Sequence, residues 1–179
     1  MMVPNDDLVP GRECGGCTIC CIEPAIAGHG LDKPAGVACR NCSAGGCAIY
    51  ETRPPPCREF FCVWRRAAFV GEAWRPDLSG VMIAPATAIG GTPSGISVIC
   101  VVNPRAHDVL ETPAFANLVA EFVARGIGVF LNLPAAPGEP ARESRLHDWV
   151  LAAVDADDPA RVMAGIRDCY RQTMALPLP

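Results

Sequence analysis

Apolar and polar positions follow recognisable periods only in the part of the chain after Leu78. Three runs of aliphatic and β-branched residues there predict strands, with a Gly90-Gly91-Thr92-Pro93 turn between the first two. The predicted strands are Val81 to Ala88, Gly95 to Val102 and Ile127 to Leu133. The first two runs are apolar on both faces in places, so at least one of them is expected at the centre of a sheet.

The same part of the chain contains two predicted helices. Thr112 can cap a helix from Pro113 to about Arg125, whose apolar side chains recur at helical spacing. Asp158 precedes a last helix, from Pro159 to about Met174. The pattern from His147 to Val154 fits either a strand or a short helix, so the sequence leaves this segment open.

The opening segment, about residues 12–65, shows little periodicity. Glycines interrupt any long helix, and Arg53-Pro54-Pro55-Pro56-Cys57 is expected to be stiff and extended. One short helix is predicted from about Cys57 through Arg66. Because such a segment cannot build a core alone, cross-links or packing on a neighbour must organise it. The sequence therefore predicts an α+β fold: a Cys-rich, loop-dominated module (residues 1–78) packed as one unit on a small sheet with two helices (residues 79–179).

Charge and hydropathy exclude two classes of partner. The chain has 179 residues, with 15 basic and 19 acidic side chains and a net charge of -4. It lacks the basic excess that binding to a phosphate backbone requires, so nucleic acid is not an expected partner. No apolar run reaches the roughly 18 residues of a membrane span, and the N-terminus has no apolar signal region. We therefore expect no membrane association and a cytoplasmic location, where thiols stay reduced.

The cysteines are the unusual feature of this sequence. Nine of the 11 lie in the first third: Cys14, Cys17, Cys20, Cys21, Cys39, Cys42, Cys47, Cys57 and Cys62. Metal ligation explains this clustering better than nine free buried cysteines do. The odd total and the missing secretory signal disfavour a disulfide framework. Cys100 and Cys169, far from the cluster, are predicted to be small buried residues of the core.

The spacing of the first cysteines is typical of a metal chelate. In Cys14-Gly15-Gly16-Cys17, two intervening residues let both thiolates point at one tetrahedral ion. Continuation to Cys20 gives C-x2-C-x2-C, which is close to the run that holds iron–sulfur clusters in small ferredoxins. Cys20 and Cys21 are adjacent and point in different directions, so they could serve two centres, or one of them could be structural. Zinc is the predicted metal and an iron–sulfur cluster the alternative; the connectivity stays open.

Other side chains of the segment can support such a site. Arginines can donate to thiolate sulfur or simply form a solvated surface; they are Arg12, Arg40, Arg53, Arg58, Arg65 and Arg66. Aromatic side chains can exclude water or serve as plain packing; they are Tyr50, Phe60, Phe61 and Trp64. His29, between two glycines, is a further candidate ligand.

The opening segment resembles the YkgJ family of cysteine-cluster proteins, described as a zinc- or iron-chelating domain. The matching elements are C-x2-C-x2-C-C at residues 14–21 and Cys47-Ala48-Ile49-Tyr50-Glu51-Thr52-Arg53-Pro54, followed by Cys57-Arg58 and Cys62. The resemblance covers about residues 12–65. It implies that eight cysteines bind metal, with one of Cys39 and Cys42 joining the other seven. Pro55-Pro56 and the additional cysteine depart from the family pattern. A similar cluster occurs in flagellin lysine methylases, which suggests an iron–sulfur cluster as the alternative to zinc. Those proteins are larger, and their activity is not transferred to this chain.

Neither a catalytic motif nor a nucleotide-binding motif accompanies the cysteines, and the α+β part carries no motif that points to a function. The predicted function is therefore metal binding with a structural or redox role, and metal ions are the only expected partners. The alternative is an enzyme or maturation factor that uses a redox-active iron–sulfur cluster or an exposed thiolate, or a metal chaperone. The sequence names neither a substrate nor a protein partner.

Overall fold

A computed structural model describes residues 8–28, 30–86 and 97–178 of the chain. The helices are α1 (Ile19–Ile22), α2 (Pro55–Glu59), α3 (Val63–Arg66), α4 (Pro76–Ser79), α5 (Pro113–Ala124), α6 (His147–Asp155) and α7 (Pro159–Ala175). The strands are β1 (Cys42–Ser43), β2 (Gly46–Cys47), β3 (Val81–Pro85), β4 (Ser97–Val102), β5 (Gly128–Leu133) and β6 (Arg142–Arg145). Short 3-10 helices span Tyr50–Thr52, Glu72–Trp74 and His107–Glu111. The predicted mixed α and β structure is confirmed.

Four strands form the main sheet, in the order β3-β4-β5-β6. The β3/β4 and β5/β6 pairs are antiparallel, and the β4/β5 pair is parallel. Helix α5 lies in the connection between the two parallel strands, as a parallel crossover requires. The central position of β4 confirms the prediction made from its two apolar faces. The predicted turn at residues 90–93 lies outside the described residues.

One face of the sheet packs against helices α5, α6 and α7. Alternate strand residues enter this core, including Val81, Cys100 and Leu131, which are all fully buried. The apolar stripe of α5 faces them, with Phe115 and Phe122 at its centre. Three helices therefore cover this face, where the sequence predicts two, because the undecided segment around Val150 folds as α6.

The opposite face of the sheet carries the Cys-rich segment. The remaining strand residues on this side, including Met82 and Ile99, contact Ile19, Cys20 and Phe60. Successive side chains of a strand point to opposite faces of the sheet, so each strand residue belongs to one of the two cores. A segment without a periodic pattern of its own thus packs on the sheet, which is one of the two ways of organising it that the sequence allows.

Capping residues account for the helices that the sequence predicts most closely. The Thr112 hydroxyl accepts a hydrogen bond from the Phe115 amide at 3.2 Å, and the Asp158 carboxylate accepts one from the Arg161 amide at 3.1 Å. These bonds begin α5 and α7 at Pro113 and Pro159, the residues predicted. Each side chain satisfies a backbone donor that has no partner inside the helix.

One prediction about local structure is wrong, and one element was not predicted. The single helix predicted from Cys57 through Arg66 is two short helices, α2 and α3, because Phe60 has extended backbone angles (φ -81°, ψ 122°) and packs against the sheet. Strand β6 was not predicted, because its polar sequence has no apolar alternation; it forms only by pairing with β5. None of the helices in the described ranges combines the length and apolar character needed to cross a membrane.

Candidate metal centre

Sulfur atoms from the separate Cys-rich loops line one cavity of about 270 Å3 on the outer side of the segment. Seven of the nine clustered cysteines contribute to its walls: Cys14, Cys17, Cys20, Cys21, Cys39, Cys47 and Cys57. A smaller, adjoining cavity of about 40 Å3 adds Cys62. Cys42, the last of the nine, contacts Cys21 through a hydrogen bond between the two thiols. The structure therefore brings all nine predicted site residues into one region.

Backbone hydrogen bonds hold these loops together. The Cys17 amide donates to the Cys14 carbonyl at 2.9 Å, which closes the first C-x2-C turn. The Cys39 amide donates to the Cys21 carbonyl at 2.9 Å and joins the second cluster to the first. Cys42 and Cys47 are directly paired across the β1/β2 hairpin. Cysteines far apart in sequence thus become neighbours through the main chain.

The thiols are close together without forming a finished cage. Within residues 8–28, 30–86 and 97–178, no three His, Cys, Asp or Glu side chains are arranged as ligands of a single ion. All eleven cysteines are free. Burial raises the pKa of Cys17 and Cys57, and that of Cys62 to about 11.

The neighbouring thiols Cys20 and Cys21 shift each other's pKa in opposite directions. The hydrogen bond between the two thiols, together with burial, raises the pKa of Cys20. The same bond lowers the pKa of Cys21, helped by a second bond from Cys42 and by the positive charges of Lys33 and Arg53. Of these two neighbours, Cys21 is therefore the one that loses its proton first.

Only some of the predicted arginines reach the sulfur atoms. Arg65, with 7% of its surface exposed, donates to the Cys14 sulfur at 3.8 Å. Arg53 lines both cavities, and its guanidinium lies 3.6 Å from the centre of the Tyr50 ring. Arg12 instead donates to the carbonyls of Trp64 and Ala67, and so ties the N-terminal segment to α3. Arg40 donates to a backbone carbonyl, and Arg58 is exposed. The four predicted aromatic residues all line one or both cavities.

Two buried N–H groups beside the smaller cavity have no acceptor among the described residues. They are Nε1 of Trp64 and Nε of Arg65, and both residues line that cavity. A buried donor without a partner is costly, so such groups are rare in native proteins. Thiolate sulfur accepts hydrogen bonds from groups of this kind around metal centres. The donor set therefore fits an anionic, sulfur-ligated group at this position.

Sequence reasoning missed two buried charged residues at the site. Lys33 is 6% exposed, and its ammonium group donates to the carbonyls of Ile22, Pro24 and Pro34 at 2.9, 2.5 and 3.0 Å. Glu23 is 4% exposed and accepts a hydrogen bond from Asn103 at 2.6 Å, which joins the Cys-rich segment to the end of β4. One signal was available for Lys33, the single lysine beside fourteen arginines.

The cysteines outside the cluster behave as predicted. Cys100 on β4 has no exposed surface and Cys169 on α7 is 1% exposed, and both belong to the core between the sheet and the helices. Both predictions of a buried packing role are confirmed. His29 lies outside the described residues, so its candidacy as a ligand stays a prediction.

Comparison of the chain with protein-family models, with curated proteins and with solved structures gives no match. The resemblance to the YkgJ family therefore rests on the cysteine motif and the Ile49–Pro54 phrase alone, and it stays a prediction.

Proposed function

We propose that this protein binds metal through its clustered cysteine thiolates, which hold zinc or, as the alternative, an iron–sulfur cluster, in a structural or redox role. The single observation that carries the proposal is the convergence of the clustered thiols: eight line two adjoining cavities, and the ninth, Cys42, lies beside Cys21. Nine unpaired thiols have little reason to gather in a segment without its own core, whereas thiolate–metal bonds supply the folding energy that such a segment lacks.

Zinc is the first choice for a compact site made only of thiolates. The cysteines around the cavities would hold the zinc ion, and the bound ion would fix the loops that carry these cysteines. Arg65 and Lys33 would offset part of the -2 charge that four thiolates leave on a divalent ion. The C-x2-C-x2-C run keeps the iron–sulfur cluster as the alternative cofactor.

One observation favours the second candidate function, a redox enzyme or maturation factor. The larger cavity continues beyond the sulfur atoms along the apolar side chains of Ile26, Leu31 and Ile49. That space exceeds what one ion with ligands at about 2.3 Å requires. A small molecule could therefore approach a cluster held there.

Elemental analysis of the full chain, purified without oxygen, tests the proposal. We expect zinc bound to colourless protein, or iron and sulfide in brown protein. A Cys100→Ala variant is the control, since it removes a thiol without touching the cluster, and its metal content should equal that of the parent. Protein that lacks bound metal, and that stays metal-free after reduction and incubation with zinc or with iron and sulfide, would overturn the proposal.

A further inference from the structure

We propose, on the basis of the proposed metal binding, that the cysteines form two separate centres divided between Cys20 and Cys21. The first centre consists of Cys14, Cys17, Cys20 and Cys62, and Arg65 is its buried counter-charge. The second centre uses four of five cysteines, and Lys33 is its buried counter-charge. The five are Cys21, Cys39, Cys42, Cys47 and Cys57.

The smaller cavity defines the first centre. Its walls contain all three members of the C-x2-C-x2-C run together with Cys62, the residue that precedes α3 and lines only this cavity. Cys57 lines both cavities, and the thiols that act on it are those of Cys21, Cys39 and Cys47, so it belongs to the second set. Arg65 lies one turn further along that helix and donates to the Cys14 sulfur at 3.8 Å. Trp64 and Arg65 line the same cavity, and each has a buried N–H group without an acceptor. An anionic tetrathiolate there would give both donors an acceptor.

The second set of cysteines is held together by different contacts. Cys21 shares a hydrogen bond with Cys42, and its carbonyl accepts a bond from the Cys39 amide. Cys42 pairs with Cys47 across the hairpin. The Asn41 amide donates to the Cys39 sulfur at 3.4 Å, an N–H···S bond that stabilises negative charge on that sulfur. Five thiols for four positions leave one in reserve, which matches the additional cysteine of this chain.

The geometry of α1 explains why the division falls between two consecutive residues. Successive side chains of a helix are rotated by about 100°. Cys20 packs against the sheet beside Met82, whereas Cys21 contacts Cys42 on the hairpin. The two neighbours therefore face different groups of sulfur atoms.

Lys33 supplies a fixed positive charge to the second set. Its nitrogen donates to three carbonyls, which uses all three protons of an ammonium group and favours the charged form, while burial lowers the pKa of Lys33. One of these carbonyls belongs to Ile22, the neighbour of Cys21. Lys33 is thus a positioning and charge-compensating residue rather than a ligand.

Cobalt titration of the reduced, metal-free full chain tests the division, because each tetrathiolate site gives a sulfur-to-cobalt absorption band. We expect two cobalt ions per chain. Cys17→Ser should lose one of them, and the double variant Cys42→Ser/Cys47→Ser, which leaves only three thiols in the second set, should lose the other. Lys33→Met should weaken only the ion that the double variant removes, by about 10- to 100-fold, and Lys33→Arg should restore most of the affinity. Arg65→Met should weaken only the other ion.

The last three variants keep every thiol, so they remain informative if a cysteine variant fails to fold. Cadmium NMR of the unaltered protein gives a further measurement, with two tetrathiolate resonances expected. A single cobalt ion per chain, or loss of the same ion in Cys17→Ser and in the double variant, would overturn the division and leave metal binding intact. Absence of any cobalt binding by the unaltered, reduced chain would instead overturn the proposed function.

Discussion

At the scale of single residues, Gly46 shows how closely the loops of the Cys-rich segment approach one another. It lies on β2 with φ at +114°, and a side-chain carbon at this position would lie 2.7 Å from the Gly15 carbonyl oxygen. That oxygen belongs to the turn between Cys14 and Cys17. Only glycine allows the hairpin to rest on this turn, because both the backbone angle and the space exclude a β-carbon.

Gly46→Ala should therefore destabilise the protein by about 1–3 kcal/mol and weaken metal binding, since the alanine strains the backbone and pushes the hairpin from the C-x2-C turn. Gly45→Ala is the matched control: a β-carbon at Gly45, one residue earlier, meets nothing within 4 Å. It should change stability by less than about 0.5 kcal/mol. Denaturant unfolding and metal analysis of both variants provide the measurement. Equal effects would show that the close contact is absent in solution.

At the scale of elements, the contact between the His107–Glu111 helix and α7 includes a titratable group. His107 Nδ1 lies 3.2 Å from the Tyr170 hydroxyl, and the two rings meet edge to face. Burial lowers the pKa of His107 below its ordinary value of 6.5, although Asp108 partly opposes this. The folded protein therefore prefers the neutral imidazole.

The pH dependence of stability follows from this preference. Below pH 6.5 the unfolded chain takes up the His107 proton before the folded chain does, so stability is complete above that pH and is lost as the pH falls through the lowered pKa. His107→Gln should remove this component and flatten the slope. The free energy of unfolding of both proteins is measured with denaturant above and below pH 6.5. The difference between the two pH profiles gives the contribution of His107, because the effects of acid on the thiols are common to both proteins and cancel. Parallel pH profiles would contradict the assignment.

The elements also show what local sequence determines. Helices α5 and α7 begin as predicted because Thr112 and Asp158 supply caps within the sequence itself. The break between α2 and α3 could not be predicted, because Phe60 becomes extended in order to contact the distant strand residue Met82. Strand β6 likewise exists only through its partner β5. Local signals thus determine where helices begin, and long-range contacts override them elsewhere.

At the scale of the whole molecule, one sheet supports two layers, which differ in how much buried core each has of its own. The helical layer buries large side chains such as Phe115, Phe122 and Ile166 completely. The Cys-rich layer contributes few fully buried residues and depends on contacts such as those of Cys20 and Phe60 with the sheet. We therefore expect the two layers to respond differently when metal is removed.

Removal of metal by a chelator under reducing conditions should lower the unfolding midpoint by more than about 10 °C, equivalent to about 3–5 kcal/mol for a chain of this size. Hydrogen exchange should rise mainly in peptides from residues 12–65, because the proposed metal bonds would replace a core there. Peptides from α5 and α7 provide the internal control and should keep most of their protection. Uniform loss of protection, or none, would contradict the unequal dependence of the two layers.

The sequence by itself determined the class of fold, the strands and capped helices of the second part, and the concentration of thiols in the first. These features follow from local periodicity, capping and composition. Only the tertiary structure decided which sulfur atoms are neighbours, which cations lie beside them and that Lys33 is buried. Contacts such as those between Cys42 and Cys21, or between Glu23 and Asn103, join distant residues and leave no periodic trace in the sequence. They depend on how the loops pack on the sheet, which a pattern of neighbouring residues does not encode.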